Sequence, residues 1–250
     1  MPRAVGPYWR FDHERLQRRV WSPALLRPNA WWDFSDLSTI SAVSTGVNNV
    51  TDKSGNGFTA TQATTTVQPQ LATNGITLNG TSQFLNISGP TITGPCTFID
   101  VFRRASSGIN SVMLCHTTNN QPHAVRWSGV NTFTSALGDS VSITHGSSST
   151  ATGDFVTATI RDGTNTAAWL NGTLLGSNAN LTLTSQSFNA IGRRSAFYHT
   201  GIIRECLMWQ RALTTKEMEQ VVGSLAHKYN FASRLPATHP YRDRPPTLER

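Results

Sequence analysis

Residues 154–176 read DFVTATIRDGTNTAAWLNGTLLG, and the Asn171–Gly172 pair within them constrains the fold more than any other feature. Asn-Gly tolerates the positive φ values of a type I′ turn, the favoured two-residue connection of a β-hairpin. FVTATIR turns through DGTNT into AAWL, and Asn171–Gly172 then reverses the chain into TLLG. Three antiparallel strands in a meander are predicted. The same grammar runs through the body from NAWWDFSDLSTI onward. GITLNG, QFLNIS, CTFIDVFRR, SVMLCH and AVRWSG are short runs bounded by Gly, Pro, Asn or Ser. Only 14% of residues are charged, while Thr, Ser, Asn and Gly abound. That balance fits pleated surfaces joined by tight turns, and 250 residues suffice for one large β-sandwich.

One long helix is predicted, over 214–229. Thr214 followed by Glu217 is a capping-box signature. Met218, Val221, Val222, Leu225 and Tyr229 then fall on one helical face, with Gly223 as the weak point. Strands followed by a single amphipathic helix describe a sandwich with the helix packed outside it.

The formal charge of +7 is concentrated at the ends. Residues 1–30 hold six Arg against Asp12 and Glu14, and residues 232–250 hold four Arg against Asp243 and Glu249. Basic arms contact acidic partners. The body shows no basic stripe interleaved with aromatics, so nucleic acid is not an expected ligand. Residues 1–29 form an arm interrupted by Pro2, Pro7, Pro23 and Pro28. Its side chains Tyr8, Trp9, Arg10, Phe11, Arg15, Arg18, Arg19 and Trp21 either pack back on the body or anchor into a neighbouring subunit. Residues 232–250 form a second, proline-rich arm. The first twenty residues hold no apolar segment of a signal peptide or membrane span. The N-x-S/T sequons at Asn49, Asn79, Asn86, Asn171 and Asn180 are therefore expected to stay unmodified. Cys96, Cys115 and Cys206 are odd in number, far apart and without metal-ligand spacing, as suits buried free thiols.

WWDFSDLSTI, TDKSGNGFTATQAT, the RDGTNTAAWLNGTLLG hairpin, IGRRSAFYHTGIIRECLMWQRALTTKEMEQVVGSLAHKY and LPATHPYR occur in that order. Over roughly residues 30–242 the chain resembles the laminin-G-like, concanavalin A-like jelly-roll domains of bacterial and bacteriophage proteins. The resemblance implies an all-β, two-sheet antiparallel jelly-roll sandwich over 30–231, closed by the C-terminal amphipathic helix and flanked by extended N- and C-terminal arms. Such domains serve as carbohydrate-binding modules, adhesion modules, structural parts of phage particles and, in one branch, glycosidases. Some hold a single calcium at the rim. Asp52 and Asp139 are loop aspartates that suit it, although a hard cation wants six to eight oxygens and Asp52 equally suits capping its own turn.

Glycosidase chemistry needs two carboxylates flanking the scissile bond. The E-x-D-x-E triplet of laminarinase-type jelly rolls is absent, and Glu205 stands alone between Ile203 and Leu207. It is expected to share a face with Ile203, Leu207 and Trp209, and to be paired by Arg193, Arg194 or Arg211. No G-x-S-x-G occurs, and Cys115 and His116 are adjacent strand residues that face opposite sides. For sugar binding the best candidates are His123, Arg126 and Trp127, then Arg193, Arg194, Tyr198 and His199. Trp169 and Trp209 are assigned to the core.

The leading expectation is a non-enzymatic bacteriophage virion protein, a capsid decoration or related tail subunit. Its arms would dock on major capsid or other virion proteins, and a homo-oligomer assembled in the host cytoplasm is expected. Neither cofactor nor membrane is called for. The alternative is a carbohydrate-binding adhesin that recognises a cell-surface glycan; a glycosidase is the remote one.

Overall fold

The computed structural model describes residues 21–105, 112–117, 123–127, 132–137, 143–147, 152–180 and 185–248, with 123–127 and 146–147 described by their backbone alone. Among them, strands dominate, all their pairings are antiparallel, and one helix spans Thr215–Lys228. The expected all-β sandwich with a single helix is the architecture found.

The long strand Thr200–Trp209 organises one layer. Along one edge it pairs with Cys96–Arg104, which continues through Gly153–Arg161 and Asn165–Leu170 to Thr173–Ala179. Along its other edge it pairs with Ala30–Asp33 near its C-terminal end and with Gly75–Asn79 near its start. Gly75–Asn79 carries the hydrogen bonding over into the second layer. From there Gln70–Ala72, Gly46–Val50, Ala60–Thr61, Leu85–Ile87, Ala190–Ile191, Leu114–Cys115, His123–Trp127, Thr132–Ala136 and Ile143–Ser147 follow in order.

The predicted meander is present, and its reversal is the one anticipated. Asn171 and Gly172 both take positive φ, 49° and 78°, as a type I′ turn requires. Alternation along Cys96–Arg104 splits the molecule into two cores. Phe98 and Phe102 face inward with Trp32, Phe34, Phe133 and Phe188. Ile99 and Val101 face outward, with Leu207 and Trp209, toward Met218, Val221, Val222 and Leu225 of the helix. Each such fully buried apolar side chain contributes roughly 1.5–3 kcal/mol. Trp209 is core as expected, whereas Trp169 is only half-buried against the helix-side cluster.

The helix begins as its sequence demands. The Thr214 hydroxyl accepts from the Glu217 backbone N–H and the Glu217 carboxylate accepts from the Thr214 N–H, with Arg211 clamping the same carboxylate at 2.8 Å. Gly223 is no weak point but a close approach, because the Tyr241 side chain fills the space a Cβ would take. The described ends of both arms lie on the body. The Trp21 N–H donates to Pro246 O, Arg234 donates to Asp154 O, and Leu235 and His239 are buried. Cys96, Cys115 and Cys206 are free and buried, as expected.

Asp100 faces the inner core and is fully buried between Thr157 and Cys206 of the flanking strands. Burial pushes its carboxyl up to about 7. The folded chain therefore holds a proton that the unfolded chain releases above about 4, and stability falls as pH rises from there through 7. Asp100→Asn is expected to gain on the order of a few kcal/mol over the parent at pH 8, with the gain vanishing toward pH 4. Urea denaturation at both pH values measures it. Gly223→Ala, favourable by about 1 kcal/mol in an exposed helix, is expected here to lower Tm and to expose the 236–248 segment to limited proteolysis.

Candidate functional site

Past Ala190–Ile191 the chain turns at Gly192, whose φ of 83° is the left-handed region open to glycine, and where a Cβ would strike Leu78. It then folds into a small hairpin, Arg193–Arg194 against Phe197–Tyr198, with Arg193 opposite Tyr198. Cross-strand partners share a face. Ser195 N–H to Thr117 O at 2.8 Å and His199 N–H to Gly192 O at 2.9 Å pin the hairpin to the second layer. Phe84 arrives from just before Leu85–Ile87, which pairs with Ala190–Ile191.

The result is a cation held by two rings. The Arg193 guanidinium carbon lies 4.7 Å from the Phe84 centroid and 5.4 Å from that of Tyr198, within the range of cation–π attraction. The rings themselves meet edge-on, 6.3 Å apart. Arg193 Nε donates to Ser195 O at 3.1 Å, so the plane of the fork is fixed. All three side chains are half-buried, with part of each open to solvent.

A polar row adjoins this surface. Asn189 Oδ1 accepts from the Thr117 N–H at 2.8 Å, and its Nδ2 donates to Thr117 Oγ1 and toward His116 Nε2. Burial holds the His116 ring below its ordinary pKa. The arrangement offers aromatic edges, a fixed cation and oriented amide and hydroxyl groups. Such a surface can take a polyol, whose ring faces stack and whose hydroxyls hydrogen-bond.

Of the residues singled out from the sequence, Tyr198 and Arg193 belong to this surface. The strand His123–Trp127 runs beside Leu114–Cys115 in the same layer, with His123 opposite Cys115. The side chains of His123, Arg126 and Trp127 lie outside the described residues. His199 is corrected: it is fully buried, its ring set edge-on to Phe102 at 5.9 Å, and burial pushes it down to about 4. It cannot touch a glycan. Arg194, next to Arg193, points inward and is buried. For Trp21 the structure takes the first of the two alternatives and corrects its assignment to a partner surface. Trp21 packs in the helix-side core of its own chain, 5% exposed, where it cannot anchor a neighbour. Tyr8, Trp9, Arg10, Phe11, Arg15, Arg18 and Arg19 lie outside the described residues, as does Asp139. Phe84 and Asn189 were missed, since only strand pairing brings them beside Arg193 and Thr117.

Asp52 organises its own loop. Its carboxylate accepts from the Trp31, Ser54 and Phe58 N–H groups and from the Ser54 hydroxyl. Among the described residues no cluster of His, Cys, Asp or Glu is arranged to hold a metal.

Glu205 is not alone. The register shifts at Arg204, so that Ile203 faces the inner core while Glu205 lies on the helix side with Leu207 and Trp209. A β-bulge of this kind re-aims side chains. Asp33 stands directly opposite Glu205, and Lys228 Nζ bridges the two carboxylates at 2.8 and 2.7 Å. Trp31 Nε1 and the Tyr229 hydroxyl complete Glu205 at 2.7 Å each, while Ser35 and Lys53 complete Asp33. Burial, joined by the Asp33 charge, outweighs Lys228 and raises the Glu205 pKa. For Asp33 burial acts upward too, but Lys228, Ser35 and Lys53 together lower it. The partner expected from Arg193, Arg194 or Arg211 is thus a lysine of the closing helix. A cleft of about 450 Å³ walled by Trp21 and Trp31 opens over the pair. Oppositely shifted carboxylates are what acid–base chemistry uses, but protein donors already occupy both, and the two side chains are 4% and 1% exposed. As it stands the cluster ties the helix to the first strand.

No protein-family model and no curated protein sequence matches the chain. Solved structures do match. A Trypanosoma rangeli sialidase in complex with sialic acid is similar over 80% of this chain and 33% of that one, with TM-score 0.55 and 11% identity. An arabinofuranosidase complexed with arabinofuranosyl-alpha-1,2-xylobiose is similar over 71% of this chain and 50% of that one, at TM-score 0.56 and 11% identity. Domain 4 of AbnA, a GH43 extracellular arabinanase from Geobacillus stearothermophilus, in complex with arabinotriose, is covered over 98% of its length by 78% of this chain, at TM-score 0.53 and 14% identity. The chain spans about a third of the length of the sialidases it matches. These likenesses show a jelly-roll-like β-sandwich. They also overturn the expectation of a phage virion subunit and, with it, that of a protein outside enzymology: the similar structures come from carbohydrate-processing proteins. Basic, proline-rich ends around a jelly roll describe an architecture, and an architecture does not assign a role.

Lys228→Met would leave two buried carboxylates facing each other. It is expected to cost about 3 kcal/mol or more at pH 8, and less at pH 4, where protonation of Glu205 relieves the repulsion. Equal losses at both pH values would contradict the pairing.

Proposed function

We propose that this chain is a laminin-G-like, carbohydrate-binding β-sandwich that works within carbohydrate processing or glycan recognition. The observation that carries this reading is the Phe84–Arg193–Tyr198 surface, rigidly mounted on the second layer and continued by Thr117 and Asn189. Aromatic side chains supply contact area at low entropic cost because they have few rotatable bonds. Neighbouring amide and hydroxyl groups fix the orientation of a ligand.

The comparisons support the ligand class. A domain of similar fold, aligned over 98% of its length with 78% of this chain, is complexed with arabinotriose, and two further similar structures are complexed with sugars as well. Arabinotriose is therefore one probe for the full chain, within a panel of plant, bacterial and animal oligosaccharides. Titration calorimetry is expected to find at least one oligosaccharide that binds. Tyr198→Ala and Phe84→Ala are each expected to weaken it by about tenfold, the loss of roughly one aromatic contact, with Tm nearly unchanged. A panel on which the folded chain binds nothing would overturn the reading. Undiminished binding by both variants would move the site elsewhere.

A further inference from the structure

We infer that the sugar seated at this surface carries a carboxylate, so that the ligand is a uronic-acid-bearing oligosaccharide held through Arg193. This deepens the carbohydrate-binding reading and rests on it.

The first ground is the geometry of Arg193. Its Nε is committed to Ser195 O and its plane is set by Phe84 and Tyr198, yet among the described residues its two terminal nitrogens meet no acceptor. A planar fork with two parallel N–H donors matches a carboxylate in bidentate fashion, and its preorganisation lowers the entropy lost per bond formed. The guanidinium also covers part of both rings, which themselves meet edge-on. A neutral pyranose would have to displace it to stack there, whereas a carboxylate meets its open edge.

The second ground is the distribution of acid. Residues 53–99 and 163–204 contain neither Asp nor Glu, and Phe84, Asn189, Arg193 and Tyr198 all fall within those two stretches. The ion pairs among the described residues join Asp33, Asp36, Asp154, Glu205 and Glu217 to Lys53, Arg103, Arg204, Arg211 and Lys228. Arg193 takes part in none of them. A fixed cation with no anion among the described residues favours an anion from outside.

The test uses the full chain and matched pairs of probes. Trimers of galacturonate, glucuronate, mannuronate and guluronate are each titrated beside their carboxyl-reduced, neutral counterparts, with a sulfated neutral trimer as a further arm. At least one uronate is expected to bind about tenfold more tightly than its reduced form, the worth of one charge-assisted contact, and the margin is expected to shrink as salt rises. Arg193→Gln should erase the margin and Arg193→Lys keep part of it, both with unchanged near-UV circular dichroism. Reduced forms that bind as well as every uronate would overturn the carboxylate and leave carbohydrate binding standing. Preference for the sulfated trimer over every uronate would likewise overturn it. Failure of every glycan, charged or neutral, would take down both readings.

Discussion

The antiparallel pairing of Thr200–Trp209 with Cys96–Arg104 is the contact on which the rest of the molecule hangs. It fixes which residues of the central layer face the inter-sheet core and which face the helix. The single bulge at Arg204 then turns Glu205 toward the helix, where Arg204 also lies, its guanidinium against the Tyr229 ring. Because parity along a strand decides its face, a register without that bulge would carry Glu205 into an apolar core. The Lys228 bridge exists because the bulge aims the carboxylate at it.

The same strand positions the candidate binding surface. The hairpin Arg193–Tyr198 precedes it with only His199 between, and that histidine is buried. Burying His199 drives the chain from the outside of the second layer into the central strand. Arg193 and Tyr198 before it stay partly open to solvent, in a hairpin pinned through Thr117. Rigidity at Arg193 is thus inherited from the sandwich, as a preorganised site requires.

Local features were legible in the sequence. Asn171–Gly172 announced its turn, and Thr214 with Glu217 announced the helix start, because both depend on residues within a few positions of each other. What depended on partners far along the chain was not legible. Glu205 meets Asp33 and Lys228 only after folding, and Phe84 meets Arg193 only because Leu85–Ile87 lies beside Ala190–Ile191. The bulge at Arg204 has no Gly or Pro to mark it. His199 and Tyr198 are neighbours in sequence with opposite fates, which alternation alone could not orient. The broader misjudgement had a different cause. Charge segregated into the ends suggested a particle subunit, whereas the solved folds similar to this one include those of sialidases, an arabinofuranosidase and an arabinanase.

The central claim is that a sugar sits on the Phe84–Arg193–Tyr198 surface. A crystal structure of the chain with its tightest-binding oligosaccharide tests this most directly. A sugar ring is expected against Phe84 and Tyr198, with an oxygen of the ligand on the terminal nitrogens of Arg193. A sugar found instead in the cleft between Trp21 and Trp31, above Asp33 and Glu205, would contradict it.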